Sequence, residues 1–190
     1  MANVSRIVGA EWIGSLMGYP VNAKVTPCLY LATNGVASFI GDFVKSTGTD
    51  AAYPQTDMRY PVVAQAAATE TLRGFIVGFA PDPTDLSNMY RKASTLRLAY
   101  VCDDPYALFI LQRDGTSAAT DIGKNGDIVV GAGNTITSMS GMYLSATLAS
   151  GTAQIRVIAT VPALQNAMTT TYTKYICMIN EHEFKSTTGV

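Results

Sequence analysis

Residues 127–141 read DIVVGAGNTITSMSG, and the choice between an α/β and an all-β fold turns on them. The apolar run Ile128-Val129-Val130 meets Gly131-Ala132-Gly133, which is how a dinucleotide-binding fingerprint opens. Such a loop also needs a third small residue, a helix whose N-terminus faces the pyrophosphate, and an acidic group about 20 residues further on for the ribose. Here the third position is Ile136. Asn134-Thr135-Ile136-Thr137-Ser138 is a run of poor helix formers. No Asp or Glu occurs from Ile128 to Asn180, so the ribose partner does not exist. The two glycines are therefore read as a tight turn or bulge between strands, with Ile128, Val129 and Ile136 feeding a core.

The sequence on either side is β in pattern. Leu29 to Thr33 runs into Asn34-Gly35, a strong short hairpin signal, and a second strand is expected over Val36 to Val44. A polar loop is expected over 47–60. Pro61 to Ala68 reads slightly better as strand than as helix, and Phe75 to Ala80 is a short apolar run closed by Pro81 and Pro83. Thr95 to Val101 alternates, with Leu96, Leu98 and Tyr100 on one face. Asp103-Asp104-Pro105 and Arg113-Asp114-Gly115 are turns, and Tyr106 to Gln112 is apolar on both faces, as a central strand is. Further runs at 142–148, 153–161 and 172–179 bring the total to roughly ten short strands at regular spacing. No 12-residue amphipathic helix alternates with them. The expectation is an all-β fold, a β-sandwich or barrel of jelly-roll-like kind. Residues 1–27, interrupted by Gly9, Gly14, Gly18, Pro20 and Pro27, read as an extended N-terminal arm with at most a helical turn near Glu11 to Met17. Residues 28–190 read as a single β domain.

The 190 residues are 48% hydrophobic and only 14% charged, with a net charge of −1. That balance argues against a nucleic-acid binder, which needs a basic field to displace counterions, and the only cationic pair is Arg91-Lys92. Cys28, Cys102 and Cys177 are too far apart for a local zinc site and odd in number for a disulfide framework, so buried thiols are expected. The N-terminus reads as neither signal peptide nor membrane span.

Candidate chemistry is thin. Asp121, Asn125, Gly126 and Asp127 match four positions of an EF-hand calcium loop, but position 12 is Ala132 and flanking helices are missing, so a turn at Asn125-Gly126 is expected. Asp82, Asp85 and Asn88 read as a solvated loop. His182, the only histidine, lies between Glu181 and Glu183 and reads as a surface or interface residue. No nucleophile–base set, metal ligand set or cofactor motif is present, and no enzyme activity is expected. The 53 residues from Ile128 to Asn180 carry just two formal charges, Arg156 and Lys174, which suits contact with other subunits because few ions must be desolvated.

Several stretches together resemble head proteins of tailed bacteriophages, of the capsid decoration (cement) type. They include the start MANV leading to Gly18-Tyr19-Pro20-Val21-Asn22. Ala37-Ser38-Phe39-Ile40-Gly41-Asp42-Phe43-Val44 is similar to that group's FIGDPV strand end, with Phe43 in place of the proline. Gly74 to Phe79, Ser94 to Arg97, Tyr100 to Pro105, Phe109 to Gly115 and Asp121 to Asn125 follow in order, and Ile179 to Phe184 and Thr187 to Val190 close the chain. The resemblance implies a virion protein on the capsid surface, assembled in the host cytoplasm, that bridges and stabilises major capsid protein subunits. It implies a homo-oligomer, dimer or trimer, without cofactor, membrane or direct nucleic-acid contact. Trp12, Ile13, Leu16, Met17 and Tyr19 are the candidate arm anchors at the interface. A tail or collar protein, or a carbohydrate-binding jelly roll, are the alternative readings.

Overall fold

The computed structural model describes residues 3–18, 24–54 and 57–186. Five strands close into a barrel: β2 (Val25–Tyr30), β3 (Phe43–Ala52), β4 (Arg59–Gln65), β5 (Gly74–Phe79) and β6 (Arg97–Cys102), in the order β2-β4-β3-β5-β6. Within the barrel the β2–β4 closure is parallel and the other pairings are antiparallel. The second layer is a five-stranded sheet of β1 (Glu11–Ser15), β7 (Ala107–Gln112), β8 (Asn125–Gly126), β11 (Ile155–Thr160) and β12 (Lys174–Ile179), in the order β1-β7-β12-β11-β8. A short pair, β9 (Ile128–Val129) with β10 (Tyr143–Leu144), completes it. The chain is all-β, as its spacing of short strands implies.

Strand alternation gives this fold two cores. Successive side chains of a strand point to opposite faces, so β3 sends Val44 into the barrel and Phe43 outward. In β5 the same split falls on Ile76 and Phe75, and in β6 on Val101 and Cys102. The inward set, with Cys28, Tyr30, Val63 and Ala99, fills the barrel. The outward set meets Phe109, Leu111, Tyr175 and Cys177 of the second sheet. At its centre the rings of Phe43, Phe75 and Phe109 lie 5.2–6.1 Å apart, tilted or edge to face, the arrangement aromatic quadrupoles favour. All three cysteines are buried free thiols.

Several local expectations are corrected. The strand expected over Thr95 to Val101 runs Arg97–Cys102 and has the opposite phase: Arg97, Ala99 and Val101 point inward and Tyr100 outward. Asn34-Gly35 does not turn a hairpin, because β2 pairs with β4 and β6 and not with β3. Residues 47–52 and 59–60, expected as loop, extend the β3–β4 hairpin, which absorbs extra residues as a bulge between Ser46 and Asp50. Asn125-Gly126 is a strand on β11 and not a turn. Ile128 enters the core as expected, but Ile136 is 93% exposed.

Residues 3–18 lie on the β domain instead of reaching away from it. Asn3 donates to Ala167, Thr170, Thr171 and Thr173 and accepts from the Ala167 amide. The Gln112 side chain accepts from the Arg6 amide and donates to the Val4 carbonyl. Gly9 and Gly41, both left-handed (φ +70° and +91°), cross with no room for side chains, and the Ala10 amide bonds Gly41 O at 3.0 Å. Glu11–Ser15 then forms the edge strand beside β7 instead of a helical turn. Its Gly14 and bulge fit an edge position.

Candidate interaction surface

The titratable groups are used in packing. Arg91 is fully buried, with its guanidinium 4.8 Å from the Tyr30 ring. It donates to the carbonyls of Leu31 (2.9 Å), Asn34 (2.8 Å), Val36 (2.6 Å) and Thr95 (2.9 Å). This draws the Asn34-Gly35 segment across the barrel mouth, which explains why that segment turns without forming a hairpin. Arg97 holds the next loop through the carbonyls of Ala80, Asn88 and Tyr90.

Asp121 serves a buried network and not a calcium loop. Its carboxylate accepts from Arg113 (2.6 Å), the Ala118 amide (2.6 Å) and the Tyr175 hydroxyl (3.0 Å). Burial works against its ionisation, but the Ala118 amide, Tyr175 and Arg113 together hold its carboxyl below the ordinary value. Asp82 is kept at about 2 by the Thr84 hydroxyl and amide, and Asp85 bonds Ser87 and Lys92, so these acids fold their own loop. Among the described residues no group of three or more His, Cys, Asp or Glu could hold a metal ion.

His182 is buried, 1% exposed, and not a surface residue. The bridge between His182 and Leu72 turns the imidazole inward, and Nδ1 accepts the Phe184 amide at 3.0 Å. Burial first, then Lys185 and Arg73, depress its pKa to about 4, with Asp104 opposing.

Two concavities among the described residues bear on the site. One, of about 400 Å³, is lined by Asn3, Val4, Arg6, Gln112, Asn166 and Lys174. The other is a shallow groove of about 610 Å³ bordered by Ser46, Asp50, Arg59, Tyr60, Arg73 and Glu183. In the groove Arg59 pairs with Asp50, and Glu183 accepts from the amide and hydroxyl of Ser46.

Among the exposed apolar side chains, which include Val4, Met58, Ile122 and Leu164 elsewhere on the surface, two groups lie at opposite ends of the barrel. In the β2–β6 pair, Val25 faces Cys102 at one end and Tyr30 faces Arg97 at the other, about 17 Å apart at 3.3–3.4 Å per residue. Beyond Cys102 stands Tyr106, whose carbonyl accepts the Leu16 amide at 3.0 Å and whose ring lies 4.9 Å from Lys185 Nζ. Phe184 follows, over Arg73. Ile13, Leu16, Met17, Tyr106 and Phe184 are between 41% and 57% exposed.

Beyond Tyr30, the loops held by Arg91 and Arg97 meet the 131–139 loop. The Phe39 ring stacks on Tyr90 at 5.0 Å, and the Gly133 backbone lies against Phe39. These loops expose Val36, Leu86, Met89 and Ile136, between 50% and 93%.

Of the candidate anchors, the structure thus gathers Ile13, Leu16 and Met17 near one end. Trp12 is no free anchor: it packs on the core, edge-on to Phe75 at 6.3 Å, and donates to Gly14 O. Tyr19 lies outside the described residues. Sequence reading missed Tyr106, Phe184 and the whole second end. The available signal was large apolar residues stranded in polar loops, as in Asp85-Leu86-Ser87-Asn88-Met89 and Asn134-Thr135-Ile136-Thr137.

Comparison with family models, with curated proteins and with solved structures finds no match for this chain.

Proposed function

We propose that this chain is a capsid decoration protein, a virion component that bridges major capsid protein subunits as a dimer or trimer on the phage head. The observation that carries the reading is the presence of exposed apolar side chains at both ends of a rigid two-core body. Bridging requires two separate contact areas held at fixed distance, and a protein that binds one partner needs only one. Contiguous exposed apolar surface marks contact sites, and large apolar and aromatic side chains are favoured anchors.

The nearly uncharged stretch from Ile128 to Asn180 supports the same reading, because it presents few ions to desolvate. The buried chemistry supports it too: Arg91, Arg97 and Asp121 spend their bonds on rigidity. A cement protein does mechanical work, since binding only the expanded lattice stabilises that lattice by mass action.

The test is reconstitution on undecorated heads. Wild-type protein is expected to bind and to raise the temperature at which heads release DNA. Leu16→Asp with Met17→Asp, and separately Met89→Asp with Ile136→Asp, should each lower occupancy at least tenfold while leaving circular dichroism unchanged. Heads that take up no wild-type protein would refute the reading.

A further inference from the structure

The Glu183–Lys185 turn lies on the domain through Glu183 to Ser46, Lys185 to the Ile179 carbonyl and the Glu183 amide to the Leu72 carbonyl, and a buried histidine caps it. His182 caps this turn of 3₁₀ helix, with Nδ1 accepting the Phe184 amide. An imidazole that accepts at Nδ1 carries its proton on Nε2 and is neutral. Nε2 is buried and has no hydrogen-bond partner among the described residues, and the same is true of Asp104 Oδ2. A second proton could bind only at Nδ1, where it would remove the acceptor for Phe184.

The surroundings decide what that proton would do. On its own segment His182 faces Lys185, while Glu183 is turned away to the amide and hydroxyl of Ser46 (2.7 and 2.6 Å) and Glu181 precedes it. From the start of β5 comes Arg73, whose guanidinium pairs with Asp103 at 3.4 Å. From the β6–β7 loop comes Asp104. An imidazolium here would be a buried cation between two others with one carboxylate to oppose them, a costly arrangement. Moving the turn outward would return it to water, taking Phe184 off Arg73 and Lys185 off Tyr106.

We propose that His182 is a proton-operated latch: at neutral pH its buried, neutral imidazole caps the 182–186 turn and keeps it closed on the domain, and acid loosens that turn while both β cores stay folded. The latch meets the core strands at their ends, through the Leu72 backbone, Glu183 on Ser46 and Lys185 on the Ile179 carbonyl, whereas the amides of Val101 and Cys177 lie within strands of the two sheets. Because Phe184 and Tyr106 belong to one of the proposed contact ends, the latch would make attachment acid-sensitive. That consequence rests on the capsid reading; the latch itself does not.

The experiment uses the full chain alone, by amide hydrogen exchange and imidazole NMR between pH 7.5 and 5. With His182 held at about 4 in the closed turn against 6.5 when free, linkage sets an increase of up to about thirtyfold in opening of the Phe184 amide at pH 5. Amides of Val101 and Cys177 should keep their protection. His182→Asn, whose Oδ1 can accept the same amide without titrating, should stay closed over this range. The latch is overturned by Phe184 protection that does not change with pH, or by core amides opening together with it. It is also overturned if His182→Asn opens over the same range.

Discussion

Gly131 and Gly141 cross so closely that a β-carbon on Gly131 would overlap the Gly141 carbonyl oxygen, and one on Gly141 would overlap that of Ala132. The glycines that look like a phosphate loop are thus explained by backbone meeting backbone, with Gly133 flat against Phe39. Gly131→Ala must push two backbone segments apart, an overpacking that typically costs about 1–3 kcal/mol. Thermal or urea unfolding should report a loss in that range. A variant as stable as wild type would show that the crossing is loose.

Arg91→Met should cost more than an ordinary surface change. The substitution keeps the volume but leaves the carbonyls of Leu31, Asn34, Val36 and Thr95 without their donor. Each unsatisfied buried group costs about 1–3 kcal/mol, and loops that can reach water will recover part of it. A drop of at least about 3 kcal/mol in unfolding free energy is expected, together with faster exchange in the 31–36 loop.

These two sites show where the sequence was legible. The lack of any carboxylate from Ile128 to Asn180 was the signal against a dinucleotide loop, and β-branched runs between turns were enough for an all-β fold. Asn34-Gly35 misled because a guanidinium 57 residues away overrides the local turn preference, and local pattern cannot register a distant donor. The N-terminal segment misled for a related reason. Its glycines look like arm chemistry, but Gly9 is there because Gly41 passes beside it. His182 read as a polar surface residue because its neighbours are acidic; only its backbone bridge to Leu72 turns it inward. Of the candidate contact residues, those close together in sequence (Ile13, Leu16, Met17) were visible, whereas Tyr106 and Phe184 join them only through the fold.

Removal of residues 2–20 illustrates the correction. It deletes β1, Ala10 and the Trp12 ring that packs on the core, so the shortened chain should lose cooperative unfolding by calorimetry. A stable truncated domain would restore the arm reading.

Asp121→Asn should destabilise by about 3–5 kcal/mol, because Arg113 is left buried without its counter-charge. The pH dependence follows from the direction of the shift. The folded carboxyl is held below its unfolded value, so its contribution is present above about pH 4 and fades as pH falls through the folded pKa. Urea midpoints of wild type and variant should therefore converge in acid. Midpoints that stay equally far apart at pH 3 would place the cost elsewhere.

The three thiols should be silent in the native protein. Burial pushes Cys28 up to about 11, Cys102 to about 12, and Cys177 well above the ordinary thiol value, and the thiolate is the reactive form. An aromatic disulfide reagent at pH 8 should titrate none of them until denaturant is added, and then all three. A single fast-reacting thiol in native protein would mean that one of the cores opens readily.

The most direct measurement is the position of this chain in an electron cryomicroscopy reconstruction of the particle that contains it. Density for the two-core body on the outer face of the head is expected, with the Leu16–Met17 end and the Met89–Ile136 end each against a neighbouring subunit. Density confined to the tail or collar, or an intact head without this chain, would contradict the capsid assignment.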